Sequence, residues 1–98
     1  MKVVITDEAL SDLRSITQFI KGENPQRALS FAVELRDACR KLGAAPYAFA
    51  ALINDPDSRI RRRPYGNYLI FYRVTTEVQI LHILHGAQDH EKILFPED

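Results

Sequence analysis

The sequence contains a single cysteine, Cys39, no tryptophan and no long run of apolar residues. One cysteine cannot form an internal disulfide, which agrees with a reducing compartment. No stretch approaches the roughly 18 consecutive apolar residues of a membrane span. Residues 1–20 carry Asp7, Glu8 and Asp12 and lack the apolar centre of a signal peptide. These absences predict a cytoplasmic protein that has no membrane partner.

The sequence also lacks an excess of charge of either sign, because 13 basic residues balance 13 acidic ones. Proteins that hold phosphate backbones usually carry a clear positive excess, so direct binding of nucleic acid is not expected. The 98 residues, of which 46% are hydrophobic, predict one domain that spans residues 1–98. A domain of this size buries a modest share of its surface, so a partner that covers apolar area would stabilise it.

The first half of the chain predicts one strand followed by two helices. Lys2–Ile5 is a short β-branched run, and Thr6 is suited to cap a helix of about Asp7–Lys21. After Gly22, Asn24 and Pro25 suit the start of a second helix, which Gly43 is placed to end. The link between the helices is short, so they form an antiparallel hairpin. The first apolar stripe contains Ala9, Leu13, Ile16 and Ile20, joined by Leu10 and Phe19. The second contains Ala28, Ala32, Leu35, Cys39 and Leu42, widened by Phe31 and Ala38.

The second half predicts a less regular segment, Ala44–Asp57, and then three strands, Arg59–Arg63, Tyr68–Val74 and Val78–His85. Their short connections imply an antiparallel meander. A brief helical or irregular tail, Asp89–Phe95, follows. The prediction is therefore an α+β fold of order βααβββ, in which the helical hairpin packs on an antiparallel sheet.

Several short motifs resemble one family when their order and spacing are taken together. They are Asp12-Leu13 followed by Ile16, Phe19 and Ile20; Asn24-Pro25 with Ala28; the strand from Tyr68 to Arg73; and Ile83 to Ala87, leading to Asp89. Over nearly its whole length the chain resembles the ParE branch of the ParE/RelE toxin superfamily. The Tyr68–Arg73 strand and the His85-Gly86 ending are the most specific parts of this resemblance.

The resemblance implies a toxin of a type II toxin–antitoxin system that inhibits DNA gyrase by binding it, without catalysis and without a cofactor. It also implies a ParD-like antitoxin, which holds the toxin silent in a hetero-oligomer. The family's ending usually reads His-Gly-Ala-Arg-Asp, and here His85, Gly86 and Asp89 match while Gln88 stands in place of the arginine. Two alternatives stay open: a RelE-like, ribosome-dependent mRNA endonuclease, and an inactive relative kept in a stable complex.

Four arginines lie between residues 59 and 63. In a strand, Arg59, Arg61 and Arg63 would point to one face, and Arg62 to the other. Three aligned guanidinium groups would bind carboxylates or phosphates, such as the acidic segments of an antitoxin. The alternative is a charged edge strand that resists unwanted pairing. Arg73 on the next strand would extend the patch in a suitable register.

The strand Tyr68–Val74 is apolar on both faces. Tyr68, Ile70 and Tyr72 share one face, and Leu69 and Phe71 share the other. Two helices can cover only one face of so small a sheet. We therefore predict that a partner binds the exposed face, and that Tyr68, Ile70 and Tyr72 contribute to partner binding together with the arginines.

The remaining titratable residues predict neither a catalytic site nor a metal site. His82 and His85 would fall on opposite faces of a strand, and His90 lies in the tail. No cysteine or carboxylate stands beside these histidines at the spacing of metal ligands. Cys39 is on the inward stripe of the second helix, which is typical of a small core residue.

Overall fold

The computed structural model of the chain describes residues 1–53 and 55–96. Its elements are β1 (Val3–Ile5), α1 (Asp7–Lys21), α2 (Pro25–Lys41), a 3-10 turn (Pro56–Ser58), β2 (Ile60–Tyr65), β3 (Tyr68–Val74), β4 (Val78–His85) and α3 (His90–Leu94). The α+β class and the order βααβββ are confirmed, and the short tail is helical. In the described residues no helix is long and apolar enough to cross a membrane.

Both long helices begin where the sequence predicts. The Thr6 hydroxyl accepts a hydrogen bond from the backbone N–H of Ala9, and the Asn24 side chain accepts one from Arg27. These bonds satisfy N–H groups that have no partner inside the helix. The inclusion of Phe19 in the buried stripe of α1 is wrong, because its side chain is 70% exposed. Phe19 lies at the flank of the narrow face that α1 buries through Ala9, Leu13 and Ile16.

Gly43 stands just after α2, as predicted, but for a different reason. The last helical turn is capped by Leu42 in a right-handed conformation, so no left-handed glycine is needed there. Instead, a Cβ atom on Gly43 would lie 2.4 Å from the carbonyl oxygen of Met1 and 3.0 Å from a methyl carbon of Val3. Glycine at this position lets the N-terminal strand pass close to the end of α2.

The strands form one sheet in the order β1-β4-β3-β2. The predicted antiparallel meander of β2, β3 and β4 is confirmed. The sheet as a whole is mixed, because β1 joins the edge in parallel to β4, with Val3 opposite Val78 and Ile5 opposite Ile80. On the other edge, residues 50–52 run beside β2, where the Leu52 N–H donates to the Ile60 carbonyl at 2.9 Å.

The two faces of the sheet carry separate apolar clusters. The larger cluster fills the space between the helical hairpin and the sheet, and it includes Leu35 of α2 together with Ile70, Tyr72 and Ile80 of the sheet. The smaller cluster, on the opposite face, contains Ile60, Phe71 and Leu84, and it is flanked by Leu52 and by three tail residues, Ile93, Leu94 and Phe95. Below, this second face is called the outer face.

The prediction that the outer face awaits a partner needs correction. Phe71 is 1% exposed and Leu84 is 2% exposed, because Leu52 and the tail residues Ile93, Leu94 and Phe95 pack against their cluster. The sequence indicated that two helices were too few to cover both faces, and α1 and α2 do pack on only one of them. It did not show that Leu52 and the tail residues would supply part of the missing cover.

Candidate partner-binding surface

The two predicted arginines on β2 are held by backbone carbonyl groups of their own chain. Arg61 donates to the Phe49 carbonyl at 2.7 Å, and its guanidinium lies 4.9 Å from the centre of the Tyr47 ring. Arg63 donates to the Ala38 carbonyl near the end of α2 at 2.8 Å, and it stacks 5.0 Å from the centre of the Phe49 ring. These contacts hold residues 47–49 and the end of α2 against strand β2.

The predicted row of three aligned guanidinium groups is not present. Arg59 precedes β2 and has a left-handed backbone (φ 59°), because it ends the 3-10 turn formed by Pro56–Ser58. The strand alternation therefore does not reach it. Arg73, the proposed extension, donates through Nε to the Ser58 carbonyl at 3.0 Å. Partner binding by these arginines stays a prediction, and for Arg61, Arg63 and Arg73 it would compete with an internal bond.

The three aromatic and aliphatic residues predicted to bind a partner face the helices. Ile70 and Tyr72 are fully buried, and Tyr68 is half-buried. The Tyr72 hydroxyl donates to the Pro46 carbonyl at 2.9 Å, and burial raises the pKa of Tyr72 above its usual value. Of this group, Tyr68 alone has side-chain surface that a partner can reach without a rearrangement of the core.

The ending that matches the family motif forms a tight turn after β4. The Gly86 N–H donates to the Asn67 carbonyl at 2.9 Å, which joins this turn to the β2–β3 hairpin. The Gln88 side-chain oxygen accepts from the His85 N–H at 2.7 Å. Arginine has no acceptor and cannot make this bond. Gln88 therefore has a structural role here that the family's usual arginine could not fill.

The last motif residue, Asp89, starts the C-terminal helix. Its carboxylate accepts from the Lys92 N–H at 3.3 Å and so caps α3. The next residue, His90, has its Nε2 atom 2.9 Å from the His85 carbonyl oxygen, and its ring lies 5.2 Å from that of Phe71. These contacts place α3 against the outer face.

A groove remains on the outer face between the two segments that cover it. Its volume is about 720 Å³. One wall is formed by residues 49–53 and Asp55, the other by residues 88–91, Leu94 and Phe95, and the floor by Arg62, Pro64 and Phe71. We call this feature the outer-face groove. Sequence reasoning missed it because both walls depend on segments folding back over the sheet.

The outer-face groove combines exposed apolar surface with unpaired charge. Ile53 lies on its wall and is 93% exposed. Three carboxylates, of Asp55, Asp89 and Glu91, line the groove against one guanidinium, of Arg62. None of these four side chains forms an ion pair within the described part of the chain.

Two further polar clusters lie outside the groove. Glu34 on α2 accepts hydrogen bonds from Arg27 and from the Tyr65 hydroxyl, which lowers the pKa of Glu34 and raises that of Tyr65. At the β4 edge, one oxygen of Asp12 lies 2.8 Å from His82 Nδ1 and accepts from the Ile83 N–H at 3.0 Å. The carboxylate thus accepts a hydrogen bond from an N–H group of β4 that lies beyond the end of the short β1.

Cys39 is a core residue, as predicted. It has no exposed surface, and burial raises the pKa of its thiol to about 11. The thiolate is the reactive form of cysteine, so this side chain is inert near neutral pH. Among residues 1–53 and 55–96, no group of three or more histidine, cysteine or acidic side chains is arranged to hold a metal ion.

Comparisons with known proteins agree with the observed fold. Residues 3–90 match the family model described as the ParE toxin of the type II toxin–antitoxin system parDE. A solved structure titled the chromosomal ParDE TA system from P. aeruginosa has a chain of similar fold. Its TM-score is 0.72 at 22% identity, over 87% of this chain and 95% of that chain. A search of curated proteins finds no significant match. The family match spans most of the sequence, and the chain therefore belongs to the ParE toxin family of type II toxin–antitoxin systems.

Proposed function

We propose that the chain acts in the cytoplasm as a toxin that inhibits DNA gyrase by binding it, and that a ParD-like antitoxin silences it in a hetero-oligomer. The family match over residues 3–90 carries this proposal. It is supported by a surface groove that combines apolar and charged side chains, since protein partners commonly dock their apolar anchors in such grooves. No cofactor is required by this mode of action.

Binding rather than catalysis is supported by how the polar residues are used. A ribonuclease must bring cationic groups and an acid–base pair to one phosphate. Here Arg61, Arg63 and Arg73 each donate to a backbone carbonyl group, of Phe49, Ala38 and Ser58 respectively. His82 and His85 also have different partners. His82 contacts Asp12, whereas His85 accepts a hydrogen bond from the Ala87 N–H.

A supercoiling assay tests the proposal. The purified chain is titrated into gyrase acting on relaxed plasmid, alone and after incubation with the antitoxin encoded beside it. We expect inhibition at micromolar toxin, and recovery of supercoiling when the antitoxin is present in equal amounts. Antitoxin alone is the control. Full supercoiling at a large excess of toxin contradicts the gyrase proposal.

The same preparation separates the two alternatives. If gyrase is unaffected and induced cells show new mRNA cuts within codons, the chain is a ribosome-dependent nuclease. If induction without antitoxin causes neither mRNA cleavage nor a growth defect, it is an inactive relative.

A further inference from the structure

The outer-face groove has the size and lining of a binding site for a peptide segment. Its volume of about 720 Å³ is comparable to the roughly 300–1,000 Å³ of clefts that hold small ligands, which leaves room for a few side chains of a docked segment. Leu52 on one wall and Leu94 and Phe95 on the other supply partly exposed apolar surface, and Ile53 extends it outward with an almost fully exposed side chain. Removing such an exposed apolar side chain from water favours association with a partner.

The charges of the groove indicate what kind of partner fits. Three carboxylates face one guanidinium, so the lining is acidic although the whole chain has no net charge. Glu91 and Asp55 make no ion pair among the described residues. A docking segment with lysine or arginine beside its apolar side chains would complement this lining, whereas an acidic segment would be repelled.

We infer that the outer-face groove binds a cationic, amphipathic segment of the antitoxin, which places apolar side chains against Leu94 and Ile53 and basic side chains beside Glu91 and Asp55. The inference rests on the proposed function for the identity of the partner. The charge of the partner segment is derived from the groove alone, and it is opposite to that expected from a row of free arginines.

A second copy of the chain suits the groove less well. Most soluble homodimers use the same patch on both subunits. A symmetric dimer through this surface would therefore bring Glu91 and Asp55 of one copy towards the same residues of the other. Like charges brought together in this way oppose association.

Four variants test the inference, with the dissociation constant for the full-length antitoxin measured by titration calorimetry. Ile53→Ser should weaken binding by about tenfold or more, because an exposed apolar anchor is lost. Glu91→Gln should weaken it about threefold to tenfold, and Arg62→Gln should tighten it, because the groove becomes less or more acidic. The matched control is Leu29→Ser on α2, which removes an apolar side chain that is 72% exposed outside the groove, and it should bind as tightly as the natural chain.

Glu91→Gln is expected to lower the affinity for the antitoxin and Arg62→Gln to raise it, and these opposite changes distinguish the outcomes. Reversed signs would show that the segment is acidic and would overturn the inference. Equal affinity for all four variants, or a loss seen only with Leu29→Ser, would place the antitoxin elsewhere. If groove variants lose gyrase inhibition but keep antitoxin binding, the groove serves the target instead, which also overturns it. Absence of antitoxin binding by the natural chain is a separate result, because it refutes the antitoxin part of the proposed function as well. Circular dichroism checks that each variant is folded.

Discussion

Raising the pH from 7 to 10 should destabilise the fold through the buried thiol of Cys39. Burial raises its pKa from an ordinary value of 9.0 to about 11 in the folded chain. The unfolded chain therefore releases this proton first, and the stability present below pH 9 is lost as the pH rises towards 11. At pH 10 the loss is about 1.4 kcal/mol of the free energy of unfolding, and at higher pH it approaches about 2.7 kcal/mol.

The measurement is urea unfolding followed by circular dichroism at pH 7, 8, 9 and 10, with a reductant present. The control is Cys39→Ala, which removes the thiol. This substitution also changes packing, so only the change of stability with pH is compared. The natural chain should lose about 1.4 kcal/mol more than Cys39→Ala between pH 7 and pH 10. Parallel curves for the two proteins would refute the reasoning, because other groups such as Tyr72, whose pKa burial also raises, titrate in both.

Two further predictions concern the ends of helices and strands. Gly43→Ala should lower the free energy of unfolding by about 1–3 kcal/mol, because its methyl group would meet the Met1 carbonyl oxygen, whereas Gly22→Ala, with its nearest neighbour at 3.5 Å, should cost less than about 0.5 kcal/mol. Equal urea midpoints for the two variants would contradict this. Gln88→Arg removes the acceptor for the His85 N–H and restores the family's usual residue. It should strengthen growth arrest on induction without antitoxin, and an unchanged growth curve would show that residue 88 does not control toxicity.

Local signals in the sequence were sufficient for the helices and for the meander. Thr6 and Asn24 cap helices through bonds to residues three positions further on, so a short window contains both partners. The strands β2, β3 and β4 follow one another with short turns, and such strands pair with their neighbours in sequence. The order βααβββ followed from these local signals, and the resemblance to the ParE family agreed with it.

Long-range pairings could not be predicted in this way. The parallel contact between β1 and β4 joins segments that are far apart in sequence, and nothing in residues 3–5 specifies a partner. The same holds for the arginines. Alternation placed Arg61 and Arg63 on one face, but their acceptors, the carbonyl groups of Phe49 and Ala38, come from segments that only the folded chain brings near. The sequence could predict which face of the sheet the two arginines share. It could not predict that their guanidinium groups are hydrogen-bonded within the chain.

The parallel pairing of Val3 with Val78 has a consequence for the order of events during synthesis. Translation proceeds at about 5–20 residues per second, so Val3 waits on the order of 4–15 s before Val78 has been made. Until then the first strand has no edge to join, and closing so large a loop carries an entropic cost. A nascent chain therefore cannot complete its sheet until most of these residues have been translated.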